Sequence, residues 1–105
     1  MSGPRLTDEL ATRVLCWRPA PDRYLISGRR WIARSRFQPL TDIRDAYRLL
    51  DAVKSDYSLL TIRGNNVDVE IGLGERVGRA AGENKARTIT LAIARLLGIE
   101  AEANG

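Results

Sequence analysis

The stretch from Phe37 to Val53 constrains the fold more than any other part of the chain. Pro39 ends any preceding strand, because proline fixes its own φ angle and has no backbone N–H group. Thr41 follows as the predicted N-cap of a helix, and Asp42 and Asp45 fall in the first turn, where acids favour the helix dipole. Behind this cap the apolar residues recur at helical spacing, at Ile43, Ala46, Tyr47, Leu50 and Val53. The pattern predicts an amphipathic helix that covers a sheet.

Two further segments have the spacing of helices. The first begins at residues 7–8, where Thr and Asp can accept hydrogen bonds from free backbone amides, and it ends at Pro19. The second covers residues 86–97, with a predicted cap at residues 83–84 and an end at Gly98. Each segment has one apolar stripe and therefore predicts a helix that buries one side.

The strand-like segments fall into two groups. Residues 24–33 place aromatic and β-branched side chains on both sides of Gly28, which predicts a hairpin. Residues 57–63, 67–71 and 75–81 predict a three-stranded meander, and period-two alternation puts the apolar side chains of its middle strand on a buried face, at Val67, Val69 and Ile71. The order helix, hairpin, helix, meander, helix predicts an α+β fold. We expect a small α-β-α layered sandwich in which three helices cover a mixed, mainly antiparallel sheet.

The composition favours a single globular domain. We expect residues 1–105 to form one domain, with an ordered core at residues 6–98 and frayed ends at residues 1–5 and 99–105. The N-terminal residues lack the apolar core of a signal peptide, and no apolar run is long enough to span a membrane. We therefore expect a cytoplasmic protein without a membrane partner.

Groups that could perform catalysis are scarce. The chain has no histidine and one cysteine, Cys16, so most nucleophile–base pairs are excluded, and we expect Cys16 to be a small buried apolar residue. The carboxylates at residues 42–45 belong to a helix start, and those at residues 68–70 lie on the solvent side of a strand. We therefore predict no enzyme activity, catalytic residue, metal site or cofactor.

Basic charge is concentrated in one segment. Residues 13–36 contain seven arginines and one acid, Asp22, which gives a net charge of +6 in a chain whose total is +4. This concentration favours an anionic partner. Tyr24 and Trp31 lie among the arginines, an arrangement that suits single-stranded nucleic acid. We predict a candidate surface for an anionic partner formed by Arg29, Arg30, Arg34 and Arg36.

Two alternatives apply to this surface. One is a surface that grips single-stranded nucleic acid, for which an unbroken strand would place residues 30, 34 and 36 on one face. The other is a solvated face on which the same arginines balance acids on a neighbouring helix. Trp17 and Trp31 are expected to be packing anchors, because a small domain needs the area that they bury.

Taken in order, the segments resemble the phage ABA sandwich domain, a family of small proteins from bacteriophages and prophages. The resemblance rests on a first helix that ends in an aromatic residue (Leu10 to Trp17), a Phe-x-Pro-x-Thr-Asp-Ile-x-x-Ala-aromatic helix entry (Phe37 to Tyr47) and an Ala-rich last helix followed by Leu-Gly (Ala86 to Gly98). It covers about residues 6 to 98 and implies an α-β-α layered fold and a phage or prophage origin. It implies no reaction or cofactor. The chain departs from the family in having Tyr47 where a tryptophan is common.

These observations predict a non-enzymatic phage or prophage accessory protein that binds another macromolecule in the host cytoplasm. The alternative is a nucleic-acid-binding module that uses the arginine-rich hairpin at residues 23–36. The sequence leaves the partner open between a protein and a nucleic acid, and it leaves the oligomeric state open.

Overall fold

A computed structural model describes residues 3–99 of the chain and contains the predicted order of elements. The helices are α1 (Gly3–Leu15), α2 (Ile43–Val53) and α3 (Lys85–Leu96). The strands are β1 (Arg18–Pro19), β2 (Arg23–Ser27), β3 (Arg30–Ala33), β4 (Tyr57–Arg63), β5 (Asn66–Leu73) and β6 (Arg76–Gly82), and a short 3₁₀ turn at Arg34–Arg36 follows β3. The predicted fraying of residues 1–2 and 100–105 lies outside the described residues, whereas residues 3–5 already belong to α1 and Ile99 is buried.

The strands form two antiparallel sheets of three strands each. β1, β2 and β3 make the N-terminal sheet, and β4, β5 and β6 make the C-terminal sheet, both in chain order. The α+β class with three helices is confirmed, although the strands divide into two sheets and do not join into one. Short turns explain the chain order: Gly64 and Gly74 take left-handed φ angles of 60° and 63° at the first position of two-residue turns. Glycine at this position matches the turn to the twist of a hairpin.

The helices connect the two sheets. α3 packs on β5 and β6, α2 packs on α3 and on α1, and α1 packs on β1. Gly78 of β6 permits the close approach of α3, since a Cβ atom there would overlap backbone atoms of Ala92 and Leu96. The predicted alternation of β5 is confirmed, because its apolar side chains are buried on the same face, at Val67, Val69 and Ile71.

The start of α2 differs from the prediction by one residue. Asp42, and not Thr41, is the N-cap, since its carboxylate accepts a hydrogen bond from the backbone N–H of Arg44 at 2.9 Å. Thr41 lies in the preceding turn, where its own N–H donates to the carbonyl of Gln38 at 3.0 Å. The cap of α3 at Asn84 and its end at Gly98 are as predicted, with the Asn84 side chain bonded to the N–H of Arg87 and Gly98 at a φ of 75°.

The buried side of α2 is also rotated from the predicted stripe. Ala46 and Leu49 are fully buried and Asp45 is nearly so, whereas Tyr47 is 38% exposed. Helix α2 packs between α1 and α3 and does not lie on a single sheet. The side of α2 that is buried is therefore decided by its contacts with α1 and α3 as well as by its apolar stripe.

The first helix begins at Gly3, before the predicted cap at residues 7–8, and it ends earlier than Pro19 suggested. Cys16 takes a left-handed φ of 61°, and the N–H of Trp17 donates to the carbonyl of Ala11 at 3.0 Å, which closes α1 at Leu15. The chain then turns into the short strand β1, where Pro19 pairs with Tyr24. Cys16 is exposed at this turn, so the expectation that it is buried was wrong.

Candidate functional site

The hairpin of β2 and β3 presents two arginines at its tip. Leu25 lies opposite Trp31 and Ser27 lies opposite Arg30, with an irregularity of register between these pairs. Gly28 takes a left-handed φ of 56° in the turn, which lets the chain reverse direction within two residues. Arg29 and Arg30 follow immediately and are exposed.

Arg29 and Arg30 line an open groove of about 540 Å³, here called the basic groove. A third arginine at this groove, Arg48, comes from α2, and its guanidinium carbon lies 5.6 Å from the centroid of the Trp17 ring. The other lining residues are apolar or aromatic, namely Trp17, Ile26, Trp31 and Ile32. The groove therefore combines three guanidinium groups with apolar and aromatic surface.

The three arginines of the basic groove have no carboxylate partner within the described part of the chain. The ion pairs found there engage other arginines, at residues 13, 23, 34, 44 and 79. Arg29, Arg30 and Arg48 thus keep their hydrogen-bond donors available. Five donors in a planar fork suit the oxygen atoms of a phosphate or carboxylate.

Trp31 is 52% exposed and is not the packing anchor that the sequence suggested. The guanidinium carbon of Arg23 lies 4.2 Å from its ring centroid, and Arg23 is itself held by two hydrogen bonds of 3.0 Å to Asp22. These bonds to Arg23 lower the pKa of Asp22. The reason for the exposure is the register of the hairpin, which places Trp31 and Leu25 on the sheet face opposite to the buried Tyr24.

Trp17, in contrast, is a packing anchor as predicted. It is 7% exposed, and its ring lies 5.1 Å from that of Phe37 in an edge-on arrangement. Phe37 also packs edge-on against Tyr24 at 5.7 Å. Such aromatic pairs contribute roughly 0.5–1.5 kcal/mol each beyond the area that they bury. The cluster ties the N-terminal sheet to the segment that leads into α2, so it fixes the position of the hairpin and of the basic groove.

Arg34 serves the fold and does not face the groove. Its guanidinium donates to both carboxylate oxygens of Asp8, at 2.6 and 3.2 Å, and to the carbonyl of Ala20 at 2.7 Å. The hydroxyl of Tyr24 donates to the same carboxylate at 2.7 Å. The hydrogen bond to Asp8 raises the pKa of Arg34, and burial followed by the Asp8 carboxylate raises the pKa of Tyr24. This network joins α1, β2 and the 3₁₀ turn.

The predicted face of Arg30, Arg34 and Arg36 does not form. Strand β3 ends at Ala33, and the 3₁₀ turn that follows breaks the alternation on which that prediction depended. Arg36 is exposed in this turn but is not part of the groove lining. Of the four predicted residues, the structure places Arg29 and Arg30 in the groove and keeps the other two out of it.

The sequence pattern did not predict Arg48 as a residue of the basic groove. It lies on the polar side of the α2 stripe, which by itself indicates only a solvated position. Its place beside Trp17 depends on how α2 packs on α1, and no local pattern encodes that contact.

The structure and the comparisons add three findings. Within residues 3–99 no three His, Cys, Asp or Glu side chains lie close enough together to hold a metal ion. None of the described helices combines the length and the apolar character needed to cross a membrane. Comparisons with protein-family models, curated proteins and solved structures found no match for the chain. The resemblance to the phage ABA sandwich domain therefore stays a prediction.

Proposed function

We propose that this protein is a non-enzymatic binding protein and that its partner is a single-stranded nucleic acid held in the basic groove. The main support is the arrangement of Arg29, Arg30 and Arg48 around an apolar groove beside the half-exposed Trp31. Guanidinium groups form charge-assisted, often bidentate hydrogen bonds to phosphate oxygens. An exposed tryptophan ring provides a surface on which an unpaired base can stack.

The exposed ring favours a single strand over a duplex. In a duplex the faces of the bases are covered by the neighbouring base pairs, whereas an unpaired base can place one face against a side chain. Arg23 already covers one face of the Trp31 ring at 4.2 Å, so a base would stack on the other face.

We expect little sequence preference. The lining contains arginine, isoleucine and tryptophan but no asparagine, glutamine or carboxylate side chain. Amide side chains are the common readers of adenine edges, and carboxylates accept hydrogen bonds from cytosine. Stacking and phosphate contacts, which every nucleotide offers, would therefore dominate binding.

The proposal includes no catalytic step. The residues that line the groove are apolar, aromatic or arginine, and none supplies the histidine, carboxylate or thiol that commonly acts as a general base or nucleophile. The resemblance to the phage ABA sandwich domain supports a role as an accessory protein of a phage or prophage in the cytoplasm of a bacterial host. A protein partner with an acidic surface is the alternative occupant of the groove.

Fluorescence anisotropy with a labelled single-stranded oligonucleotide tests the proposal. If three arginines each neutralise one phosphate, the logarithm of the binding constant should fall with the logarithm of salt concentration with a slope of about −2. Arg30→Ala should weaken binding and make this slope shallower by about 0.7. Trp31→Ala should weaken binding about tenfold with little change of slope, because stacking is not a charge interaction.

Arg36→Ala is the matched control, since it removes one exposed arginine close in sequence but outside the groove. We expect it to have a clearly smaller effect than Arg30→Ala. An equal loss in both variants would assign binding to general basic charge and would contradict a defined groove. Absence of binding at low salt would refute the nucleic-acid proposal and would favour the protein partner.

A further inference from the structure

Strand β4 has one open edge along its whole length. Among residues 3–99 it pairs with β5 on one side only, and all seven of its residues are exposed. Its sole charged residue, Arg63, lies at its end. Proteins usually protect edges of this kind with inward-pointing charges, proline or bulges, because an open edge pairs readily with another strand. The unprotected edge carries four large apolar or aromatic side chains, at Tyr57, Leu59, Leu60 and Ile62.

Two of these side chains extend the buried core beyond the reach of α3. Leu60 lies opposite Val69 and Ile62 lies opposite Val67, so all four point to the face that α3 covers. Helix α3 packs on β5 and β6. Val67 and Val69 are therefore buried, whereas Leu60 is 37% exposed and Ile62 is 60% exposed. The apolar face of the sheet continues uncovered to its β4 edge.

The backbone N–H and C=O groups on the outer edge of β4 are evenly spaced about the centre of the strand. Arg63 and Asn66 flank the two-residue turn and form a hydrogen-bonded pair, after which bonded and non-bonded pairs alternate along the ladder. Ser58, Leu60 and Ile62 therefore direct their N–H and C=O groups away from β5. Leu60 lies at the centre of this set and at the centre of β4 itself.

The other edge of the same sheet is protected. By the same alternation the carbonyl of Arg79 points outward from β6, and it accepts a hydrogen bond from the Arg95 guanidinium at 2.7 Å. Strand β6 also carries Arg76 and Arg79. A second strand that approached β6 would have to displace this bond, so β4 is the edge left open to a partner.

We propose that β4 pairs antiparallel with β4 of a second copy of this chain, with Leu60 facing Leu60 of that copy across a two-fold axis. In this register Ser58 of each copy lies opposite Ile62 of the other, and the outward N–H and C=O groups of residues 58, 60 and 62 all find partners. The two Leu60 side chains contact each other directly. The two sheets then become one continuous sheet of six strands with closed two-fold symmetry.

The charge of Arg63 favours the antiparallel orientation over a parallel one. Antiparallel pairing places the two Arg63 residues at opposite ends, roughly 20 Å apart along the strand, whereas parallel pairing would place them side by side. Each Arg63 lies opposite Tyr57 of the other copy. The Arg63 guanidinium thus comes next to an aromatic ring. The Glu70 carboxylate, which accepts from the Tyr57 hydroxyl at 2.8 Å, is already paired with Arg79 at 2.9 Å.

Disulfide cross-linking tests the register. In a Cys16→Ser background, which removes the exposed native thiol, Leu60→Cys should place two cysteines across the axis about 5.5 Å apart between Cα atoms, within disulfide range. Ser58→Cys is the control, because the two residues 58 would lie four positions apart along the strands, roughly 14 Å. A covalent dimer with Leu60→Cys alone supports the proposal. Equal cross-linking of both variants, or of neither, would overturn it.

Sedimentation equilibrium on the unmodified, nucleic-acid-free chain provides the independent measurement. We expect a monomer–dimer equilibrium, and Ile62→Lys should raise its dissociation constant at least about tenfold, since a lysine on an edge opposes pairing. Val77→Lys is the matched control, because Val77 is 50% exposed on β6, and it should leave association unchanged. A chain that stays monomeric up to about 1 mM would overturn the proposal and leave the edge to an extended segment of another protein.

Discussion

Alkaline pH should destabilise this protein through Tyr24, and Tyr24→Phe should remove most of that sensitivity. Tyr24 is 1% exposed, and its hydroxyl donates to the Asp8 carboxylate at 2.7 Å. Burial, and then this hydrogen bond, raise the pKa of Tyr24 well above its ordinary value of 10.0. A phenolate at this position would lie in an apolar cluster beside the Asp8 carboxylate, and these two effects outweigh the attraction of the Arg34 guanidinium. The folded chain therefore keeps the phenol protonated.

The sign and size of the effect follow from proton linkage. Above pH 10 the unfolded chain has released the Tyr24 proton while the folded chain still binds it, so the free energy of unfolding falls as pH rises, by about 1.4 kcal/mol per pH unit. The contribution is fully present below pH 10 and is lost as pH rises towards the raised pKa. Between pH 10 and about pH 11.5 the Tyr24 loss should be about 1.7 kcal/mol.

Urea denaturation followed by circular dichroism at pH 8, 10 and 11.5 measures this loss. Tyr24→Phe should cost about 1.5–3 kcal/mol at pH 8, because a hydrogen bond to a charged acceptor is removed. Between pH 10 and 11.5 this variant should lose less stability than the parent chain. Tyr57→Phe is the comparison: the hydrogen bond to Glu70 also raises the pKa of Tyr57, but this side chain is 40% exposed and should contribute less than the buried Tyr24. If the parent chain and Tyr24→Phe lost the same stability over this range, Tyr24 would not be the responsible group.

Two substitutions test the helix contacts described above. Asp42→Ala should lower the free energy of unfolding by about 1 kcal/mol, because it removes the side-chain cap on the Arg44 N–H, while Thr41→Ala should have a smaller effect; thermal unfolding of the pair distinguishes the two caps. Gly78→Ala should cost about 1–3 kcal/mol, since the added methyl group would meet backbone atoms of Ala92 and Leu96 that cannot move independently. A Gly78→Ala variant as stable as the parent chain would contradict the close packing of α3 on β6.

The C-terminal half of the fold could be predicted because its signals are local. The alternation of β5 decides which of its side chains are buried, and the turns at Gly64 and Gly74 fix the antiparallel neighbours. The cap at Asn84 follows from its own side chain in the same way. None of these features needs information about a distant part of the chain.

The N-terminal half was less predictable because irregular local geometry and distant contacts both decide it. The exposure of Trp31 depends on hairpin register, and the exposure of Cys16 depends on a left-handed turn that a non-glycine residue adopts only rarely. The candidate site shows the same division. Arg29 and Arg30 lie at the tip of a hairpin that the sequence predicts. Arg34, in contrast, forms an ion pair with Asp8 on α1, and this contact between distant parts of the chain keeps it out of the groove.

The two proposed binding surfaces lie at opposite ends of the series of packed elements. The C-terminal sheet packs on α3, α3 on α2, α2 on α1, and α1 on the N-terminal sheet. The β4 edge belongs to the first of these elements and the hairpin of the basic groove to the last. Arg48 reaches the groove from α2, which fixes the groove to the centre of the molecule and not only to the hairpin. A substitution such as Ile62→Lys on β4 therefore leaves the groove residues in place, and Arg30→Ala leaves the open edge in place. Because mutations at distant sites that share no partners have nearly additive effects, each surface can be disabled without disturbing the other.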